Sequence, residues 1–292
     1  MTPRAAPAVI ATLLGVTLAG SGCATHAVGR KVDLGGYRLH LRCAGRGAPT
    51  VVFDAGLGDS GEAWSRVAPD VARLTRACVY DRAGLGRSDP GPQPRTSGRI
   101  VGELHALLAR AGERAPFVLV GHSFGGLSAR LYATRFPAEV AGLVLVEATH
   151  EDFPDAANRL RPASERLRLE STFAGASATA ASEYAHLGES AAEMRAASPL
   201  PDIPLVVISS RDWHADAAVQ RAWSGFQDAL ARLAPRAEHV IVPDSGHYVQ
   251  FEKPRVVVAA IARVVRTVRR TEAVAGGVSA PVAPPRPAPG RS

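Results

Sequence analysis

Six short runs of consecutive apolar residues recur along this chain, and they limit its fold more than any other feature. Continuous runs of this length are typical of strands that are buried on both faces of a parallel sheet. The segments between them carry apolar residues three and four positions apart, which is the spacing of a helix with one buried face. This alternation predicts an α/β fold with a mostly parallel central sheet flanked by helices. The six runs are TVVFD (50–54), ACVYD (77–81), FVLVG (117–121), GLVLVE (142–147), PLVVIS (204–209) and HVIVPD (239–244).

The predicted fold occupies residues 31–270. A strand pair around the turn KVDLGG comes first, and its second member, YRLHLRC (37–43), alternates apolar and polar residues like a half-exposed strand. Residues 151–200 interrupt the alternation with polar, helix-favouring sequence that is too long for an ordinary connection. We therefore expect a small helical cap at 151–200, inserted after the sixth strand. A helix that begins at Pro254 closes the domain.

Both ends of the chain differ from the middle. Residues 1–22 combine one early arginine, an apolar run shorter than a membrane span and small residues before Cys23, which is the layout of a secretory signal peptide. The stretch LAGSGC also resembles the lipobox of bacterial lipoproteins, whose cysteine is lipidated. We expect export, either as a membrane-anchored lipoprotein through Cys23 or as a secreted or periplasmic protein after simple cleavage. Residues 271–292 are rich in alanine, proline, glycine and valine without an apolar period, and we expect a disordered tail there.

Composition excludes some partners. The chain has 292 residues, 46% of them hydrophobic, which is enough for a sizeable core. Its net charge is +7, but the arginines are scattered rather than clustered on one element, so no nucleic-acid partner is expected. None of the nine histidines belongs to a HExxH motif or to a paired Cys/His spacing, so the sequence predicts no metal and no other cofactor.

One glycine pattern has a competing interpretation. The stretch TVVFDAGLGDSG places Gly56, Gly58 and Gly61 in GxGxxG spacing after a strand, and Asp81 ends the next strand. This is the spacing of a dinucleotide-binding loop with its ribose-binding acid. Such a loop normally follows the first strand of its domain, whereas here a strand pair precedes it. We therefore prefer the interpretation in which these are glycines of an ordinary loop.

A second glycine pattern lies where FVLVG runs directly into the turn GHSFG. A serine at a sharp strand-to-helix turn is typical of a nucleophile elbow, in which closely approaching backbone segments require Gly121 and Gly125. Such a turn would present Ser123 above the sheet as the candidate nucleophile. The N–H of Phe124, which starts the next helix, and the N–H of Leu57, after TVVFD, are the candidate oxyanion donors.

A serine hydroxyl needs a base, and His247 is the candidate. Among the nine histidines it alone lies in a Ser-Gly-His turn just after the last buried strand. From that turn its ring can reach back toward Ser123.

Five motifs lie between about residue 50 and residue 255: DAGLG, YDRAGLGRSDPG, VLVGHSFGG, LVLVEATHED and SGHYVQFEKP. Together they resemble the α/β-hydrolase superfamily, and specifically its bacterial serine-hydrolase, esterase-like branch. The resemblance implies Ser123 as nucleophile, His247 as base, and the N–H groups of Leu57 and Phe124 as oxyanion donors. The order serine, acid, histidine along the chain is also that of the superfamily.

The chain departs from its relatives in one loop. They often have His-Gly where this sequence has Ala55-Gly56, so the Leu57 donor is assigned by its position in the loop. His122 is expected to pack beside the elbow without a catalytic role.

Two carboxylates are candidates for the acid that orients His247. In the superfamily this acid most commonly lies in the loop after the strand PLVVIS, where Asp212 stands, although one residue short of the usual position. Some members take it instead from the end of the earlier strand GLVLVE, which here is Glu147. A carboxylate among apolar neighbours is costly to bury without a partner. We prefer Glu147 and keep Asp212 as the alternative.

The resemblance also implies a disulfide. In the resembled fold the second strand runs antiparallel beside the fourth, which would bring Cys43 near Cys78. An exported protein can oxidise such a pair. The alternative is two reduced, buried cysteines in separate strands.

The activity implied by the resemblance is hydrolysis of carboxylic esters, with a small-molecule ester as substrate and with amides or lactones open to the same acyl-enzyme chemistry. Haloperoxidase-like perhydrolysis, carbon–carbon bond hydrolysis and lyase chemistry use the same constellation, and a non-catalytic ligand sensor would keep the pocket. A carboxylate nucleophile would have indicated a dehalogenase or an epoxide hydrolase, and the serine argues against both. The sequence does not indicate whether the protein is a monomer or an oligomer.

Overall fold

Eight strands form one sheet in the computed structural model, which describes residues 29–211, 213 and 216–277. The strands are β1 (Arg30–Asp33), β2 (Arg38–Ala44), β3 (Thr50–Asp54), β4 (Ala77–Tyr80), β5 (Phe117–His122), β6 (Val140–Val146), β7 (Leu205–Ser210) and β8 (Glu238–Val242). Their order across the sheet is β1-β2-β4-β3-β5-β6-β7-β8. The pairs β1/β2 and β2/β4 are antiparallel, and every other neighbouring pair is parallel. The predicted α/β-hydrolase fold is therefore confirmed.

Ten α-helices accompany the sheet in the described part of the chain. They are α1 (Ala68–Ala72), α2 (Ser97–Ala111), α3 (Phe124–Arg135), α4 (Phe153–Leu160), α5 (Ala163–Ala176), α6 (Ala178–Ala185), α7 (Leu187–Arg195), α8 (Ala217–Leu230), α9 (Val249–Glu252) and α10 (Pro254–Gly277). Helices α4 to α7 lie between β6 and β7 and form the cap, inside the range predicted for it.

Apolar side chains cover both faces of the sheet. Along β5, Leu119 belongs to a cluster that includes residues of α2 and α3, whereas Val118 and Val120 point to the other face and join a cluster with α1 and α10. Successive side chains of a strand point to opposite faces of the sheet, and in β5 both faces are apolar. It explains why the strands read as continuous apolar runs.

The last helix is longer than predicted. Helix α10 continues to Gly277, seven residues beyond the predicted boundary at residue 270. Adding a residue to an existing helix costs much less than starting one, so the alanine-rich start of the predicted tail extends α10. Residues 278–292, together with residues 1–28 and therefore Cys23, lie outside the described residues. Within the described part, no helix is both long enough and apolar enough to cross a bilayer.

A disulfide joins the antiparallel strands β2 and β4. Cys43 and Cys78 are directly opposite in the register of these strands, with Cα atoms 4.0 Å apart and sulfur atoms bonded at 2.05 Å. The bond therefore links the antiparallel part of the sheet to its parallel part.

Removal of this disulfide is expected to lower the free energy of unfolding by about 4 kcal/mol, because it closes a loop of 35 residues and so restricts the unfolded chain. Urea unfolding of the double variant Cys43→Ala/Cys78→Ala measures the loss. Wild type treated with dithiothreitol is the control, since it loses the bond without losing side-chain volume. Equal unfolding midpoints for oxidised and reduced wild type would contradict the expectation.

Candidate active site

Ser123 occupies a strained turn between β5 and α3. Its backbone has φ 51° and ψ −119°, a region that residues with a β-carbon seldom adopt. Three backbone hydrogen bonds hold this conformation: Ser123 N–H donates to Val146 O (3.1 Å), and Ser123 O accepts from Gly126 N–H (2.9 Å) and Thr149 N–H (3.0 Å). The geometry is that of a strand–serine–helix elbow.

Close backbone approach explains two glycines of the elbow. A β-carbon on Gly121 would lie 2.4 Å from Gly125 O, and one on Gly125 would lie 2.3 Å from Ala55 O. Both distances are far shorter than a van der Waals contact. Any larger residue would push α3 away from the sheet and move Ser123.

A cavity of about 240 Å³ opens above Ser123, between the sheet and the cap. Both Ser123 and His247 line it, and so do Leu57 and Phe124. No hydrogen bond joins the side chains of Ser123 and His247 among the bonds of the described residues. Hydrogen bonds of this kind are often long in a free enzyme and tighten when substrate binds.

Two backbone N–H groups at this cavity are available to a ligand. Phe124 is the first residue of α3, so its N–H has no carbonyl one turn earlier in the helix. Within the described residues, Leu57 N–H donates to no other group. Helix α3 also directs its N-terminus toward this point, which favours negative charge.

His247 lies in the loop after β8, where the rings of His122, Trp213, Trp223 and Tyr248 surround it. Its imidazole stacks on Trp213 with ring centroids 4.1 Å apart, and Trp223 and Tyr248 approach edge-on at 5.7 and 5.6 Å. Burial among these groups lowers the pKa of His247 to about 3. The imidazole is therefore neutral near pH 7, which is the form that can accept a proton.

His122 fixes the backbone of this loop. It is 1% exposed, and its Nε2–H donates to the carbonyl oxygen of His247 at 3.0 Å. The sequence predicted a residue packed beside the elbow, and the contact with the His247 loop is an addition to that prediction.

Glu147 lies behind His247, directly after β6, and is fully buried. Its Oε2 is 3.4 Å from His247 Nδ1 and accepts from Trp223 Nε1 at 2.9 Å, while its Oε1 accepts from Ser210 N–H at 2.5 Å. Burial raises the pKa of the Glu147 carboxyl, and the N–H donors around it oppose that rise because they stabilise the carboxylate. Glu147 also has a positive φ of 46°, so its backbone is held in a strained turn that aims the side chain at His247.

Asp212, the alternative acid, lies outside the described residues. The choice between Glu147 and Asp212 remains a prediction, with Glu147 in hydrogen-bond range of the imidazole.

The structure contains a second serine–histidine–carboxylate chain that sequence analysis missed. Ser209 Oγ is 2.7 Å from His239 Nε2, and His239 Nδ1 is 3.2 Å from Asp228 Oδ1. However, Ser209 is only 3% exposed and is not part of the cavity that holds Ser123. No helix begins beside it, since it lies within β7. These contacts link β7, β8 and α8, and they give the buried hydroxyl of Ser209 a hydrogen-bond partner.

A buried ion-pair network, which the sequence did not reveal, braces the loop that carries Leu57. Arg82 donates to the carbonyl oxygens of Ala55 (2.7 Å) and Gly56 (2.5 Å) and to both carboxylate oxygens of Glu183. Glu183 lies on cap helix α6 and also accepts from Gly58 N–H at 2.8 Å. The cap therefore holds the loop that carries Leu57 from above. In the sequence, Arg82 stands out only as a charged residue directly after the apolar run ACVYD. Nothing in the sequence marks Glu183 as its partner.

The dinucleotide interpretation of the same loop is wrong. The loop leads into a short 3₁₀ turn, Gly61–Trp64, rather than the helix that would hold a pyrophosphate. Asp81 is 6% exposed and accepts hydrogen bonds from Gly61 N–H (2.7 Å) and Arg87 N–H (3.0 Å), so it orders this region instead of facing a ligand.

Metal-ligating atoms come close together at one place in the described residues, at Cys43, Cys78 and Glu113. The two sulfur atoms there are bonded to each other, so the group offers no thiolate.

Comparison with known proteins identifies the fold and the family. Residues 51–260 match the model of the alpha/beta hydrolase family. The uncharacterized protein YqjL of Bacillus subtilis (strain 168) is 26% identical over 247 residues, which are 82% of this chain and 87% of that relative.

Solved structures share the architecture at low identity. A thermophilic esterase from Thermogutta terrifontis has a TM-score of 0.61 at 23% identity, over 83% of this chain and 99% of that one. The haloalkane dehalogenase DatA from Agrobacterium tumefaciens C58 has a TM-score of 0.63 at 18% identity, over 84% of this chain and 98% of that one. These two enzymes carry out different reactions, so the likeness concerns the fold alone. Because the family model spans most of the sequence, the chain belongs to the alpha/beta hydrolase family.

Proposed function

We propose that this protein is a serine hydrolase that cleaves carboxylic esters through an acyl-enzyme, with amides or lactones open to the same chemistry. One observation carries the proposal: Ser123, His247 and two available N–H groups face one cavity, and a buried carboxylate lies in hydrogen-bond range of His247. These are the parts that acyl transfer requires.

In the first half of the reaction, Ser123 Oγ attacks the carbonyl carbon of the ester while His247 Nε2 takes the hydroxyl proton. The carbonyl electron pair moves onto oxygen, and the N–H groups of Leu57 and Phe124 hold the resulting oxyanion. When the intermediate collapses, the bond to the leaving alcohol breaks and His247 returns its proton to that oxygen. An acyl group then remains on Ser123.

In the second half, water takes the place of the alcohol. His247 removes a proton from water, the oxygen attacks the acyl carbon, and collapse of the second intermediate releases the acid and restores Ser123. Glu147 accepts the Nδ1–H of His247 throughout, which keeps Nε2 free to face Ser123 and stabilises the imidazolium that forms in each half.

A fluorophosphonate probe tests the proposal directly, because it phosphonylates only an activated serine. We expect one label, on Ser123, located by peptide mass spectrometry. Ser209→Ala is the matched control: it removes the other serine that lies beside a histidine, and it should keep the label. A folded wild type that never labels would instead favour a ligand sensor.

We also propose that the protein is exported and that Cys23 carries a lipid anchor, on the basis of the sequence of residues 1–23. The mature wild type should partition into membranes and show the mass of a lipidated cysteine, and Cys23→Ala should remain unprocessed or become soluble. A mature wild type that is wholly soluble, with no lipid mass, would refute the anchor but leave export standing.

A further inference from the structure

The cap contributes one charged side chain to an otherwise apolar and aromatic part of the cavity wall. Arg161 lies at the end of α4, among cap residues that close the cavity from above. The cap residues of this wall are Phe153, Arg161, Leu169, Phe173, Tyr184 and Leu187. A cation in such a wall loses hydration, so its presence needs a compensating interaction.

The Arg161 side chain is held in place and largely shielded from solvent. Its side chain is 15% exposed, and its guanidinium carbon lies 5.7 Å from the centre of the Phe153 ring. The backbone N–H of Arg161 donates to Ala157 O at 2.9 Å and fixes the end of α4. The guanidinium is thus a fixed part of the wall rather than a mobile surface group.

The donors of Arg161 are only partly used by the protein. Its Nε is 3.3 Å from Glu165 Oε1, but the two groups are not aligned as a hydrogen bond, and Nε is buried without a partner. Among the described residues, neither terminal nitrogen of Arg161 donates a hydrogen bond to the protein. A guanidinium has five N–H donors in a planar fork that matches a carboxylate. Glu165 shows that a carboxylate can come within reach of this one.

The other charged side chain of the wall lies on the loop after β3. Asp59 lines the cavity there, on the loop that carries Leu57. Burial raises the pKa of the Asp59 carboxyl. In its ionised form Asp59 repels a substrate anion, whereas Arg161 attracts one, so the two groups favour one orientation, with the anion toward the cap.

We infer that Arg161 determines specificity by binding a carboxylate at the far end of the substrate, so that the preferred substrates are monoesters of dicarboxylic acids. This inference rests on the proposed function, since it places the ester carbonyl at Ser123. Charge-assisted, two-pronged contacts between arginine and carboxylate are among the strongest that a polar site can make.

The test compares two matched substrates, the 4-nitrophenyl monoester of adipic acid and the 4-nitrophenyl ester of adipamic acid. They differ only in a terminal carboxylate or carboxamide, so the ratio of their kcat/KM values isolates recognition of the anion. Wild type should prefer the carboxylate. Arg161→Gln should lower the ratio on the order of 10- to 100-fold, the effect of losing a hydrogen bond to a charged group. Any general damage to the cap lowers kcat/KM for both substrates equally and therefore does not change their ratio.

Two further variants separate recognition from a structural role of the Arg161–Glu165 pair. Glu165→Gln removes the competing carboxylate and should raise the ratio of kcat/KM for the carboxylate substrate to kcat/KM for the carboxamide substrate. If the pair were purely structural, Glu165→Gln and Arg161→Gln would change this ratio in the same direction. Arg159→Gln removes an exposed arginine of α4 that is not part of the cavity, and the ratio should stay at the wild-type value.

The outcomes distinguish this inference from the proposed function. A wild type whose Ser123 labels with the fluorophosphonate probe but which does not favour the carboxylate overturns the inference alone. An unchanged ratio in Arg161→Gln does the same. Absence of both labelling and ester cleavage would reject the proposed function, and the inference with it.

Discussion

Ser123→Ala is expected to abolish ester hydrolysis while leaving the protein folded. Removal of the nucleophile from a comparable triad lowers turnover on the order of a million-fold. The Ser123 hydroxyl makes no hydrogen bond within the described residues, and alanine keeps the β-carbon, so the substitution leaves the backbone bonds of the elbow in place. Hydrolysis of an activated ester by purified protein measures the loss, and thermal unfolding checks the fold.

The same assay contains its own control in Ser209→Ala. That variant removes a buried hydroxyl that is hydrogen-bonded to His239, so we expect some loss of stability but near-normal turnover of the folded protein. Most of the activity remaining in Ser123→Ala, or a collapse confined to Ser209→Ala, would overturn the serine mechanism proposed for Ser123.

The sheet and the elbow were predictable because their signals are local in sequence. A strand buried on both faces is a continuous apolar run, and β5 shows this directly. The elbow needs a strand end, glycines that permit close approach, and a serine, and all of them fall within the stretch FVLVGHSFGG. His247 had a local signal as well, because it alone among the nine histidines lies in a Ser-Gly-His turn just after the last buried strand, and the resemblance agreed with that choice.

The residues that escaped prediction act through contacts between distant parts of the chain. Arg82 meets Glu183 across 101 positions, and nothing in the local sequence of the cap marks Glu183 as a partner of the loop that carries Leu57. Arg161 is likewise an ordinary arginine at a helix end until the fold places it on the cavity wall. The cap is thus the part of the site that sequence analysis described least, because its helices are polar and their arrangement depends on tertiary contacts.

Comparison of His239 with His247 shows that hydrogen-bond geometry alone does not identify the catalytic candidate. The Ser209–His239 contact is shorter than any hydrogen bond His247 makes, yet Ser209 faces no part of the cavity above Ser123. What sets Ser123 apart is its strained turn, the helix that begins beside it and its access to a ligand.

Glu147→Gln is expected to lower turnover by roughly four orders of magnitude, as the corresponding change of the triad acid does in a serine protease. An amide at this position can present its NH₂ group to His247 Nδ1, which would favour the tautomer with a proton on Nε2 and so remove the base. Glu147 also accepts from Ser210 and Trp223, and the loss of these bonds would reduce stability. The rate must therefore be normalised to folded protein, as determined from thermal unfolding.

Asp212→Asn is the matched comparison, because it makes the same chemical change in the alternative acid. We expect Asp212→Asn to retain most of the wild-type turnover, since Glu147 already lies 3.4 Å from the imidazole and is fixed there by its buried position after β6. Both variants are assayed in parallel on one activated ester. Near-normal rates for Glu147→Gln together with collapse of Asp212→Asn would transfer the role to Asp212, and Glu147 would then be a structural carboxylate that closes the end of β6 against Ser210 and Trp223.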